Sequence, residues 1–178
     1  MKKIRRLIQG KISFLIRGIP FFYFYPQATK DSKSHTYKEI RTLKAFNGLM
    51  LPFEYSPTLI AERFAQSNIF CFLEVNHAMV SYGWINASKS HYVGELDLTL
   101  QVGNNYEILF DFYTYPNYRN NGYYRLLLNH ICDRNNTIKV IYALKKNLNS
   151  ITGIKNAGFK FQYTVYGFNK NNYTNLLK

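Results

Sequence analysis

Cysteine is scarce in this chain of 178 residues, and Cys71 and Cys132 stand far apart with no metal-ligand spacing around them, which excludes a disulfide framework and a cysteine-based metal cluster. Both are expected to be buried free thiols. His35, His77, His91 and His130 are equally dispersed, and none pairs with another His or Cys at short spacing, so no metal site is expected. No uninterrupted apolar run approaches the ~18 to 20 residues of a membrane-spanning helix. No internal repeat is visible. Acidic residues are few, 10 against 23 Lys and Arg, for a formal net charge of +13.

That charge is uneven. Residues 1–50 hold 11 Lys or Arg against Asp31 and Glu39, whereas residues 51–178 hold 12 against 8 acids. A basic surface attracts nucleic acid, anionic lipid or a polyanionic small molecule; its plain alternative is a solvated face. In the first 26 residues, Ile4, Leu7, Ile8, Ile12, Leu15, Ile16 and Ile19 recur at helical spacing among Lys2, Lys3, Arg5, Arg6 and Lys11. This basic amphipathic pattern fits either a helix lying on an anionic membrane face or one packed on the domain. Arg17 interrupts the apolar stretch and the segment 20–26 is aromatic, so a secretory signal is not expected. A cytoplasmic protein, with peripheral contact at the inner membrane face as the extension of that reading, is expected. The length suits one core, so residues 1–26 are read as a basic segment leading into the first strand and 27–178 as a single domain.

Aromatics are abundant, with 16 Tyr and 14 Phe, many in β-type runs. Residues 21–25 read as a strand stopped by Pro26, residues 37–46 as a helix ending at Asn47-Gly48, and Ser56-Pro57 as the start of a second helix. Residues 69–75 and 78–85 read as a hairpin turned by Asn76-His77. Residues 86–91 read as linker, and 93–102 as a further strand through the alternation of Leu96, Leu98, Leu100 and Val102.

The most informative stretch is residues 115–128, where a β-rich run (107–113) turns at Arg119-Asn120-Asn121-Gly122 into a helix carrying Leu127, Leu128 and Ile131. Unpartnered N–H groups and the dipole of such a helix start suit a phosphate. This strand, turn and helix resembles the coenzyme A loop of the GNAT superfamily of acyl-CoA-dependent N-acyltransferases, whose pattern is Q/R-x-x-G-x-G/A. Arg119 and Gly122 match; Tyr124 stands where the pattern has Gly or Ala. Downstream, the apolar run 138–144, Asn147, a short helix and Gly158-Phe159 are similar to the family's strand, Asn, helix and closing Gly-Phe.

The resemblance implies an α/β (mixed α+β) fold with a GNAT-like central mixed sheet flanked by helices, here with a basic N-terminal helical extension. It implies acetyl-CoA or another acyl-CoA as co-substrate and no metal. Main chain at Tyr113 and Thr114 is expected to line a slot between two splayed strands, Arg119, Asn120, Asn121, Gly122, Tyr123 and Tyr124 to hold the pyrophosphate, and Asn147 to touch the cofactor. A Cβ at Gly122 is expected to intrude on the diphosphate. Asp111 and Glu107, four apart and so expected on one strand face, are candidates for the base that takes the amine proton, or are merely salt-bridged acids. Where the family often has a Tyr donor this chain has Ile154. Tyr142 is then the donor candidate, or a core aromatic, with Tyr115, Tyr123 and Tyr163 unranked.

The acceptor implied is a small-molecule primary amine, for which an amino sugar or nucleotide amino sugar of surface polysaccharide suits the aromatic residues. A polyamine is expected least, because a basic protein repels a polycation. No specific nucleic-acid partner is expected. The alternative is a non-catalytic GNAT-like binding protein that uses its basic N-terminal half on anionic lipid, nucleic acid or polysaccharide.

Overall fold

The computed structural model describes residues 18–25, 35–49, 51 and 55–166. Seven strands form the main sheet: β1 (Gly18–Phe24), β2 (Thr36–Ile40), β3 (Ile69–Val75), β4 (Ala78–Asn86), β7 (Tyr106–Thr114), β8 (Ile138–Tyr142) and β9 (Lys160–Tyr166), in the order β2-β3-β4-β7-β8-β1-β9. All neighbours are antiparallel except β7 and β8. A separate antiparallel ribbon joins β5 (Ser90–Val93) to β6 (Leu98–Gln101). Among the described residues the helices are α1 (Leu43–Phe46), α2 (Pro57–Ala65), α3 (Tyr123–Asp133) and α4 (Leu148–Asn156).

Local chemistry explains several elements. Asn76 and His77 both take positive φ (49° and 63°), the backbone a two-residue hairpin with the sheet's twist requires, and they join β3 to β4 as expected. Pro57 opens α2 with its fixed φ and missing N–H in the one turn that tolerates both. On α3, Leu127, Leu128, Ile131 and Cys132 form one buried stripe. That stripe and α4 cover one sheet face, packing on Cys71, Leu73, Val80, Ile85, Leu109 and Ile141. The other face is covered in two parts: α1 and α2 lie over Phe70, Tyr82 and Trp84, and the ribbon lies over Phe21, Ile108, Val140 and Val165. At roughly 1.5 to 3 kcal/mol per buried large apolar side chain, these contacts fix the sheet from both sides. Cys71 and Cys132 are buried and unbridged, as expected.

Three expectations need correction. Residues 37–46 are not one helix: residues 36–40 pair with β3 as edge strand β2, and only Leu43–Phe46 is helical. The supposed linker 86–91 supplies part of β5, and residues 93–102 are not one strand but the end of β5, a 3₁₀ turn and β6, folded into the ribbon. The strand expected at 21–25 is interior, between β8 and β9. The proposed N-terminal amphipathic helix lies outside the described residues as far as residue 17; Ile19, the last position of its pattern, is not helical but belongs to β1, paired with Val165. Among the described residues no helix is long and apolar enough to cross a membrane, and no group of three or more His, Cys, Asp or Glu could hold a metal ion.

The register of β4 on β7 contains the feature that shapes the site. Trp84 faces Phe110 and Tyr82 faces Tyr113, so Asp111 and Phe112 together oppose the single residue Gly83. This is a β-bulge, and Asp111 takes φ 55°, which Asp tolerates better than most residues. The extra residue shifts the alternation. Phe112 therefore packs with Leu109 on the α3 face, whereas Tyr113 packs with Phe110 on the α2 face. Gly83 is required beneath it, since a Cβ there would stand 2.4 Å from the Phe112 ring. Gly83→Ala is expected to destabilise the fold by about 1 to 3 kcal/mol through overpacking, read as a lower denaturant midpoint, and Phe112→Leu in the same chain to recover part of the loss.

Candidate active site

Parallel pairing of β7 with β8 runs from Tyr106 opposite Ile138 to Leu109 opposite Ile141 and stops there, while β7 continues five residues to Thr114. The strands part just where the bulge begins. Two clefts open on this gap. The first, about 860 Å³, is lined by Tyr113, Thr114, the loop Arg119 to Arg125 and the facing side of α4. The second, about 740 Å³, lies between α2 and the β5–β6 ribbon over the bulge and the end of β8. Phe112, Tyr124, Asn147 and Ser150 line both, so the clefts meet in a slot between β7 and β8.

The first cleft is built on a turn. Asn120 (φ 64°) and Gly122 (φ 78°) are both left-handed. Gly122 occupies the N-cap of α3, where no side chain caps the helix, and a Cβ added to it would meet nothing within 4 Å. The open first turn therefore faces free space, with the positive end of the helix dipole behind it. Arg119 folds back, its Nε donating to the Thr114 carbonyl at 3.1 Å and its guanidinium 5.5 Å from the Tyr113 ring centre. Arg119 and Arg125 are the charged residues of this cleft, which holds no carboxylate. Asn147 caps α4, its Oδ1 accepting from Ser150 N at 3.1 Å. The structure thus brings together Tyr113, Thr114, Arg119, Asn120, Asn121, Gly122, Tyr123, Tyr124 and Asn147. These residues fit a diphosphate: the cradle has room, donors and positive charge.

Tyr124 does not fill that cradle. Its ring leans toward α4, 5.6 Å from the Phe112 ring centre, and Gly153 makes the room, since a Cβ on Gly153 would fall 2.5 Å from it.

In the second cleft, Asp111 Oδ2 accepts from Arg63 Nη1 at 2.8 Å and from Tyr55 Oη at 3.0 Å. The Arg63 guanidinium is stacked 4.8 Å from the Trp84 ring centre and 5.1 Å from that of Phe110. Tyr142, at the end of β8, places its hydroxyl 3.0 Å from His91 Nε2. Burial, then the charges of Glu95 and Asp111, hold that phenol well above its usual range, so it keeps its proton. Burial and the nearby Arg63 charge push His91 down to about 4, so it is neutral at pH 7. Asp111 and Tyr142 line one cleft.

Glu107 is not with them. The bulge breaks the expected shared face: Glu107 lies in neither cleft and is buried in an ion cluster, hydrogen-bonded to Arg134 and Asn135 and 3.3 Å from Lys139 Nζ. Ile154 is fully buried in the core on α4 and supplies no donor. His91, Arg63, Tyr55, Glu62 and Glu95 were not singled out from the sequence. They come from α2 and its approach, and from the ribbon, far along the chain from the strands they face, with no motif joining them.

No protein-family model matches the chain, and no curated protein does. Solved structures do. A functionally unknown conserved protein from Staphylococcus epidermidis superposes over 89% of this chain with a TM-score of 0.56 at 12% identity. A protein assigned to the GNAT acetyltransferases from Novosphingobium aromaticivorans covers 84% with 0.51 at 13% identity. An acetyltransferase of the GNAT family from Colwellia psychrerythraea covers 83% with 0.53 at 10% identity. The chain spans 64%, 62% and 54% of the length of those three proteins. At such identities the likeness is one of architecture: a seven-stranded mixed sheet flanked by helices, the fold of GNAT acetyltransferases.

Proposed function

We propose that the protein is an acyl-CoA-dependent N-acyltransferase, moving an acyl group from acetyl-CoA or another acyl-CoA to a primary amine. One observation carries the reading: a slot between parting strands joins a basic cleft at an open helix start to a cleft holding a carboxylate and a buried phenol. Acyl-CoA bound there supplies a thioester already activated for attack. Gly122 and the first turn of α3 hold the diphosphate, with Arg119 and Arg125 beside it. As the amine nitrogen bonds to the acyl carbon and the carbon–sulfur bond breaks, Asp111 takes the proton leaving nitrogen, directly or through a water. Tyr142 gives one to the departing sulfur. Neutral His91 fixes the phenol from behind.

Asp111→Asn and Tyr142→Phe are each expected to lower kcat by about 100-fold, the usual worth of a positioned acid or base, with acetyl-CoA binding retained. Thiol release from acetyl-CoA measures both. Full turnover by Asp111→Asn would remove that residue as the base. Ile154, a buried core residue where the resembled pattern often has a proton donor, favours the competing reading of a non-catalytic GNAT-like binding protein; acetyl-CoA binding with no acylation across a broad amine panel is the result that reading expects.

A further inference from the structure

We infer that the acceptor is a dication, an aliphatic diamine or polyamine rather than a singly charged amino sugar. The inference rests on the acyltransferase reading and specifies its second substrate. The chain's overall surplus of positive charge argued against a polycation, but the charge at the acceptor cleft has the opposite sign. Three of the 10 acidic residues of the chain, Glu62, Glu95 and Asp111, line it, against the single base Arg63. Arg63 is engaged by Asp111 at 2.8 Å. Glu62 and Glu95 make no ion pair among the described residues, although 23 Lys and Arg are present in the chain. The adjoining cleft carries Arg119 and Arg125 and no acid. The two clefts thus offer opposite charges on either side of one slot, a polyanion's place and a polycation's.

A second observation is independent of the carboxylates. Asn68 lines the same cleft, is only 3% exposed, and its Oδ1 accepts no hydrogen bond. A buried acceptor left unmet costs about 1 to 3 kcal/mol, and an ammonium brings the donor it lacks.

The charge must be more than one because of the reaction itself. The attacking amine is neutral when it forms its bond, so it cannot also satisfy Glu62 and Glu95 in the reacting complex. A second, unreactive ammonium can. It anchors the molecule at the rim while the first nitrogen, its ammonium proton already lost to water, reaches the slot, where Asp111 takes the second proton as the amide bond forms.

The test titrates the full-length protein calorimetrically with 1,4-diaminobutane, spermidine, n-butylamine and glucosamine, beside the double variant Glu62→Gln/Glu95→Gln. Both substitutions are on the exposed rim, and neither residue is used in the chemistry above. Diaminobutane and spermidine are expected to bind roughly tenfold tighter than either monocation, as two partly exposed ion pairs supply, and the double variant to lose that preference. Equal affinity of n-butylamine or glucosamine, or an undiminished preference in the double variant, overturns the inference. Acetyl-CoA is titrated separately. If it binds and diamines show no preference, the dication alone falls; if it does not bind while the carboxylate-dependent preference stands, the acyltransferase reading falls and the cation site remains.

Discussion

Gly122→Trp is expected to leave the protein folded and to weaken acetyl-CoA and free coenzyme A by about 100-fold or more, a loss of roughly 2.7 kcal/mol. Two properties of the position separate folding from binding. Its φ of 78° is left-handed, so any replacement bears a backbone cost of about 1 to 2 kcal/mol. Nothing within 4 Å would meet the new Cβ, so no packing is lost. What the indole does fill is the space in front of the uncapped first turn of α3. Gly122→Ala has the same backbone cost and adds little volume, so it is expected to bind between the two. Calorimetric titration with thermal melts of all three proteins makes the measurement. Tryptophan at this position with wild-type affinity would mean that no diphosphate sits here.

Glu107→Gln is expected to cost about 3 kcal/mol or more of stability, because it removes the carboxylate paired with the fully buried Lys139 and one of the two carboxylates, Glu107 and Glu39, paired with Arg134. Lys139 has no exposure, and Arg134 has little. Set against a typical total of about 5 to 15 kcal/mol, that is a large fraction. Urea unfolding reads it directly, and acylation per folded molecule should be unchanged.

The wild type should also be acid-labile in two stages. His91 has a folded value of about 4, below its ordinary 6.5. Burial raises the Glu107 carboxyl, but the hydrogen bond and charge of Arg134, with Lys139 and Asn135, outweigh it and hold the group below its ordinary 4.5. For both, the unfolded chain takes the proton first as pH drops. Stability present at neutral pH is therefore lost from about pH 6.5 downward through His91, and again below about pH 4.5 through Glu107. Glu107→Gln should abolish the second stage and keep the first; a midpoint that does not change between pH 7 and 4.5 would contradict the His91 assignment, and a wild-type midpoint that falls no further than the variant's below pH 4.5 would contradict that of Glu107.

Elements set by local chemistry were legible in the sequence, and those set by distant partners were not. The Asn76-His77 turn, Pro57 at the head of α2 and the Leu127, Leu128, Ile131 stripe each announce themselves within a few residues, as does the loop from Arg119 to Gly122. Residues 36–40 do not: as an exposed edge strand they alternate only weakly, and pairing with β3 overrides their helical spacing. The bulge at Asp111 was illegible for a different reason. Period-two reasoning assumes an unbroken ladder, and one extra residue opposite Gly83 puts Glu107 and Asp111 on opposite faces. Glu62, Glu95 and His91 reach their cleft only through tertiary folding, and no window along the chain contains them together with Asp111.

Tyr124 and Gly153 together change what the loop's departure means. In the pattern that this loop resembles, the small residue sits two positions after Gly122; here a ring stands there and the missing volume has moved to the neighbouring helix, where Gly153 leaves the ring its berth. The two positions form one packing unit across the α3–α4 boundary. A lineage could not change either alone: a small residue at 124 opens a void against Phe112, and any side chain at 153 drives the ring back toward the slot. A signature confined to the loop scores only the bulky residue at 124, whereas one spanning both helices also scores the glycine at 153 that gives it room.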